Sequence, residues 1–247
     1  MQAKSIKGKS TEAIQSALEQ AMTGNFTPTL AICFISKSVD RTAITQILDA
    51  KGIQVFGCTT NGEFIDEEPE KGSAAILLLD MNKDHFQIYF EEYPEKNYRD
   101  VANNIAQKAK TKFITPAFLI GISNASADGE EVLRGIEEVA GQAVNAFGGA
   151  AGDDYSFSET FVFTNGKNSG NAIICIALDE SKVEIKGIAT CGWKPVGTEK
   201  QVTKSEGNHV YTVDNIPVLD ITAKYGGIQN VSPDNQGLLL EDRKSVV

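Results

Sequence analysis

The chain has 247 residues, 41% of them hydrophobic, and a formal net charge of −10, which suits a soluble chain with one large core or two modest ones. The acidic balance argues against nucleic acid and anionic membrane surfaces as partners, since both call for clustered Lys and Arg. No apolar run approaches the roughly 20 residues of a membrane span, and the lysine-bearing start lacks the apolar stretch of a secretory signal.

Ser10 or Thr11 can cap a helix over residues 11–22, with Ala13, Ile14, Ala17, Leu18 and Ala21 on one face and Gly24 beyond its end. Pro28 launches a strand at 30–36. Asp40 opens a helix carrying Ala43, Ile44, Ile47 and Leu48, Gly52 stops it, and 54–58 is the next strand. An Asn61-Gly62 turn and an acidic loop over 66–70 follow. Residues 73–80 and 86–93 then read as a hairpin joined by 81–85. A second cycle starts at Tyr98 with a helix bearing Val101, Ile105 and Ala109. It continues with a strand at 118–123, a helix from Asp128 or Gly129 (Val132, Leu133, Ile136, Val139) and a strand at 145–149. Strands at 160–164, 172–178 and 183–189 complete it. Past Ala189 the pattern changes. A turn-rich link at 192–197 carries the only tryptophan, Trp193, a hairpin spans 201–213, and Pro217 begins a helix that ends at Gly226. The tail 242–247 (DRKSVV) reads as a translated sequencing adaptor, which would make the natural protein longer; the alternative is a charged, frayed end.

The two cycles echo one another. Residues 56–64 (FGCTTNGEF) answer 147–155 (FGGAAGDDY) without a gap, 30–36 answers 118–123, and 72–80 answers 170–179. The expected fold is α/β with mixed sheets, built from a duplicated β-α-β-β-β module over 1–190. Repeat one covers about 28–93 and repeat two about 97–190, and a truncated α+β module begins at 191.

Equivalent loops of a duplicated unit tend to gather around a shared axis, so the paired Gly-rich turns are the candidate site. Gly57, Gly62, Gly148, Gly149 and Gly152 permit positive φ and close approach of a ligand to backbone N–H groups, and successive N–H groups suit a carboxylate or phosphate. Glu63, Asp153 and Asp154 lie just past the turns and can receive an ammonium. Cys58, Thr59, Thr60, Asn61, Ser123 and Asn124 add groups at strand ends. Together these fit a zwitterionic amino acid. The plain reading of the same residues is tight strand packing with exposed turn acids.

Other chemistries are weaker. Four cysteines with no C-x-x-C pair and only two histidines, His85 and His209, form neither a disulfide framework nor a zinc set. Cys58 with His209 as base would make a nucleophile, but its counterpart in the second cycle is Gly149. The three acids follow no Mg²⁺ or Ca²⁺ loop spacing. Trp193 with Pro195 can wall a ligand or pack a domain junction. No cofactor is called for.

The motifs at 56–64 and 147–154, with the run 192–225 (GWKPVGTEKQVTKSEGNHVYTVDNIPVLDITAKY), resemble the FIST family of intracellular sensory domains. The resemblance runs from about residue 3 to 225, the third motif matching the opening of the family's C-terminal module. It implies a cytoplasmic, non-enzymatic sensor that binds a small, amino-acid-like ligand and signals by conformational change, with a signalling enzyme encoded separately as partner. Two other classes stay open: a hydrolase or transferase using Cys58 or the paired carboxylates, and an interaction module that docks a kinase or cyclase.

Overall fold

The computed structural model describes residues 1–66, 68–156, 158–188, 194–195, 197–207 and 209–226. The chain divides into two units, Met1–Gly187 and Ile188–Val247. In chain order the first unit holds β1 (Gln2–Gly8), α1 (Thr11–Ala21), β2 (Leu30–Ser36), α2 (Arg41–Ala50), β3 (Gln54–Thr60), β4 (Glu63–Ile65), β5 (Glu68–Glu70) and β6 (Ala74–Asp80). It continues with β7 (Phe86–Glu92), α3 (Tyr98–Lys112), β8 (Pro116–Ile122), α4 (Gly129–Ala140), β9 (Ala146–Ala150), β10 (Val162–Thr164), β11 (Lys167–Ser169) and β12 (Ala172–Asp179). Ser10, Asp40 and Asp128 cap α1, α2 and α4 through side-chain oxygens at 3.2, 3.0 and 3.0 Å from the first free N–H groups.

The first sheet runs β1-β6-β2-β3-β10-β11 and the second β7-β12-β8-β9. In each, one parallel pair sits beside antiparallel neighbours: β2 with β3, and β8 with β9. The ladders are congruent with the sequence echo. Gly57 pairs with Cys33 as Gly148 pairs with Ile120, and Ala74 pairs with Ile35 as Ile173 pairs with Ile122. The fold is thus α/β, with two sheet-rich halves of similar mixed-strand topology.

Helices α1 and α2 bury Ile14, Leu18, Ile44 and Leu48 against Cys33, Ile35 and Ile76 of the first sheet. Helices α3 and α4 bury Ile105, Val132 and Ile136 against Phe118, Ile120 and Cys175 of the second. A third cluster, including Leu30, Phe56, Cys58, Phe86, Ile174 and Ile176, fills the space between the sheets. The layers are therefore helix, sheet, sheet, helix.

Three expectations change. Strand β7 does not form a hairpin with β6. It lies antiparallel on β12, while β1 holds the matching place on β6. No strand was expected at β1, because only Ile6 of that segment is buried. Each half therefore opens with a strand and helix, β1-α1 or β7-α3, ahead of a β-α-β segment whose first strand pairs antiparallel with β6 or β12. Residues 183–188 have no regular structure; Val183 and Ile185 pack against the inter-sheet core without ladder bonds. Strand β10 leaves its own half and pairs antiparallel with β3, setting Val162 against Cys58 and Phe163 against Gly57.

The second unit contains β13 (Val202–Glu206), β14 (His209–Val213), β15 (Ile216–Pro217) and α5 (Val218–Gly226), the strands forming one antiparallel sheet. Cys191, Trp193 and the tail at 242–247 lie outside the described residues. No described helix is long and apolar enough to cross a membrane.

Candidate functional site

The parallel strands β2 and β3 end side by side, with Ser36 opposite Thr60, and the carboxyl ends of parallel strands are where open α/β sheets commonly take ligands. The turn after β9 crosses directly over the turn after β3. Gly152 N–H donates to the Thr59 carbonyl at 2.7 Å and Asp154 N–H to that of Thr60 at 3.1 Å. The Asn61 side-chain oxygen accepts from the N–H groups of Asp153 and Tyr155 at 2.9 and 3.3 Å. Residues 59–61 and 152–155 are thus brought into one polar knot.

Close packing explains most of the glycines. A Cβ on Gly152 would stand 2.6 Å from the Asn61 side-chain oxygen; one on Gly57 would overlap the Phe163 ring, and one on Gly148 the Ile120 carbonyl. Gly149 faces open space, and Gly62 meets only the Glu70 carbonyl at 3.5 Å.

The three acids have different surroundings. Glu63 is 1% exposed and fully engaged. One oxygen accepts from Thr60 Oγ1 at 2.5 Å, the other from the N–H and Oγ of Ser73 at 3.1 and 3.0 Å. Asp153 is also buried and accepts from Ser156 Oγ at 3.0 Å and Ser158 N–H at 2.7 Å. Asp154 sits in the left-handed region with φ 57°. Its Oδ2 accepts from Ser36 Oγ at 2.6 Å and Lys37 N–H at 3.1 Å. Its Oδ1 is buried without a donor among the described residues, and an oxygen left so costs about 1–3 kcal/mol.

Two cations, Lys37 and Arg41, follow Ser36 in the chain. Lys37 Nζ donates to Ser158 Oγ. Arg41, in the first turn of α2, stacks 4.2 Å from the centroid of the Phe161 ring. Its guanidinium reaches only neutral acceptors, the Asn168 side-chain oxygen at 3.4 Å and the Lys37 carbonyl at 3.5 Å. Burial pulls its pKa below the ordinary value, with Asp40 opposing. Neither cation forms an ion pair among the described residues.

Ser123 and Asn124 follow β8, where the hydroxyl of Tyr93 donates to the Ser123 carbonyl. Their own bonds run to Ala172, Thr160 and Asn171 rather than to the crossed turns. Cys58 is buried between the sheets; burial pushes its thiol up to about 12, so it stays protonated and unreactive at neutral pH. His209 belongs to β14 of the second unit. Among the described residues, no group of three or more His, Cys, Asp or Glu is placed to hold a metal ion.

Reasoning from the sequence overlooked Ser36, Lys37, Arg41, Ser73 and Ser158. The signal for Ser36 was present, because it ends β2 as Ser123 ends the matching strand segment of the second half. Ser73 also lies inside the echoed segment 72–80; Lys37, Arg41 and Ser158 lack a counterpart in it.

Residues 29–216 match the family described as the FIST N domain. An uncharacterized protein of Methanocaldococcus jannaschii is 25% identical over 207 residues, covering 75% of this chain and 38% of that protein. The chain therefore spans well under half the length of this relative.

Proposed function

The chain belongs to the FIST family of non-catalytic sensory modules, and on that premise we propose that it senses a small amino-acid-like ligand held at the crossing of its two turns. The observation that carries this reading is the buried, donorless Oδ1 of Asp154, whose other oxygen accepts from the Lys37 N–H, while the charged ends of Lys37 and Arg41 have no ion-pair partner among the described residues. A zwitterion supplies both missing partners: its ammonium meets Asp154, and its carboxylate meets Lys37 and Arg41. Charge-assisted bonds of this kind are about twice as strong as neutral ones.

Around that pair, Thr59, Thr60, Asn61, Gly152 and Asp153 form the knot, and Gly149 and Gly62 leave backbone open to a ligand. Gly57, Cys58 and Gly148 shape the strands beneath, Glu63 fixes the turn after β3, and Ser123 and Asn124 form the neighbouring strand end. The congruent ladders support an ancient duplication as the origin of the paired turns. Signalling requires the ligand to favour one conformation over another. The knot joins the two halves of the first unit, so a ligand there is able to bias their packing. A separately encoded signalling enzyme in the cytoplasm would read the result.

Thermal melts of the protein against a panel of amino acids test the proposal. A ligand at a hundred times its dissociation constant adds about 2.7 kcal/mol, which for a chain of this size raises Tm by about 5–10 °C. Asp154→Asn should abolish that rise while leaving the ligand-free protein folded, because Asn tolerates the left-handed backbone and its amide oxygen can still accept from Ser36 and Lys37. An undiminished shift in Asp154→Asn rules this site out.

A further inference from the structure

A groove of about 370 Å³ lies over the inner face of the first sheet, beyond the part that the second sheet covers. Its floor is Phe34 of β2, Ala75 and Leu77 of β6 and Ser5 of β1, with Phe64 and Ile65 of β4 as the outer wall. Phe34 and Phe64 remain 44% and 66% exposed, although Ile32 and Leu77 beside them already belong to the inter-sheet core. The β4–β5 hairpin that makes the wall is fixed at its base, where Glu63 and Glu70 are ladder partners. Glu63 bonds Thr60 and Ser73, and Glu70 pairs with Lys7 at 3.4 Å.

The groove and the polar knot share one sheet face. Thr60 lines the groove, and its carbonyl accepts the Asp154 N–H. Its ladder partner Ser36 donates to Asp154 Oδ2, and Phe34 lies two residues before Ser36 on the same face of β2. Two residues along a strand span about 6.7 Å, roughly the distance from the charged head of an amino acid to the end of its side chain. The cavity volume falls at the lower end of the range of about 300–1,000 Å³ for small-molecule sites. That is room for a single metabolite.

We propose that this groove seats the ligand's side chain, so that the protein selects zwitterionic amino acids with an aliphatic or aromatic side chain, such as leucine or phenylalanine. The proposal rests on reading the crossed turns as the ligand site. Charge complementarity sets the orientation: the ligand's ammonium meets Asp154, while Phe34 and Phe64 cover the side chain. Polar and charged side chains are disfavoured, since the groove floor offers only Ser5 and Thr60 as polar partners. A ligand in the groove also touches the hairpin wall, giving β4–β5 a state that depends on occupancy.

The test is calorimetric titration of the protein with leucine, phenylalanine, glycine, glutamate and lysine. Leucine or phenylalanine should bind at least about tenfold more tightly than the other three. Phe64→Ala should weaken that preferred ligand by about five- to tenfold. Ser5→Trp, on an edge strand that accepts an aromatic residue, should fill the groove and abolish its binding. Circular dichroism confirms that both variants are folded. If an amino acid binds and is lost in Asp154→Asn, yet glycine or glutamate matches leucine or both groove variants bind normally, the groove proposal is overturned and the ligand site stands. If no amino acid binds at millimolar concentration, both fall.

Discussion

Glu63 and Asp154 are both carboxylates near the carboxyl end of β3, yet their bonds give them different work. Glu63 holds the turn after β3 against the start of β6, with both oxygens satisfied from within the chain. Removing it strands the Ser73 N–H and hydroxyl in the interior, so Glu63→Ala should lower the unfolding free energy by about 1–3 kcal/mol. The change would appear in urea unfolding as a lower midpoint with an unchanged slope. Asp154 has one satisfied oxygen and one that is not, so its replacement by Asn removes the charge a ligand would meet while keeping an oxygen for Ser36 and Lys37. Loss of ligand response in Glu63→Ala alone would therefore not identify a contact. It has to be compared with the melt of the variant itself, and Asp154→Asn is the informative substitution because it alters the ligand contact while keeping the bonds to Ser36 and Lys37.

At the scale of elements, α3 and α4 pack so closely that a Cβ on Gly135 would stand 2.9 Å from that of Ala102 and collide with the Arg99 carbonyl. Ala102, Ala106 and Ala109 keep the facing side of α3 low. Gly135→Leu should separate the helices and destabilise the chain by about 1–3 kcal/mol or more, whereas Leu133→Ala, at a site 40% exposed, should change it by less than about 1 kcal/mol. Thermal melts of the two variants make the comparison. The helices themselves were legible in the sequence, because Ser10, Asp40 and Asp128 announce their starts and apolar spacing their buried faces. The inner strands were legible for the same reason. Strand β1 was not, since an edge strand needs little apolar character. Its Lys4 instead reaches the Ala21 carbonyl at 2.6 Å and lies 4.9 Å from the centroid of the Phe26 ring. The partner of β7 was also hidden. A short link between two apolar runs signals a hairpin in either case, and only the prior occupation of the β6 edge by β1 sends β7 to the other sheet. The echo pointed to the two turns that cross in the structure, but not to the groups around them. Lys37 and Arg41 look like an ordinary solvated helix start until Phe161 arrives beside them from more than a hundred residues away.

At the scale of the whole first unit, the two halves complete one another. Strand β10 comes from the second half by sequence but closes the β3 edge of the first sheet, and Asp154, also from the second half, is bonded to Ser36 of the first. Cys58 of the first sheet packs where a side chain on Gly121 of the second would have to go. The first sheet takes its last two strands from the second half and the inter-sheet core draws on both, so the first unit should unfold as one cooperative body rather than as two repeats. Three buried thiols make this testable, because each belongs to a different layer: Cys33 under α1 and α2, Cys58 between the sheets, and Cys175 under α3 and α4. Burial raises all three thiol pKa values, so none should react with a thiol reagent in the native state. Pulsed alkylation across a urea series, read by peptide mass spectrometry, should show the three becoming modified at one common midpoint. Labelling of Cys175 at lower urea than Cys33 and Cys58 would mean that the second half opens on its own, and the crossing of the turns would then be a contact between independent bodies. A common midpoint makes the knot part of a single folding unit, so binding energy released at Asp154 is felt in both sheets. That is the mechanical condition a sensor needs if a ligand of amino-acid size is to alter a whole domain.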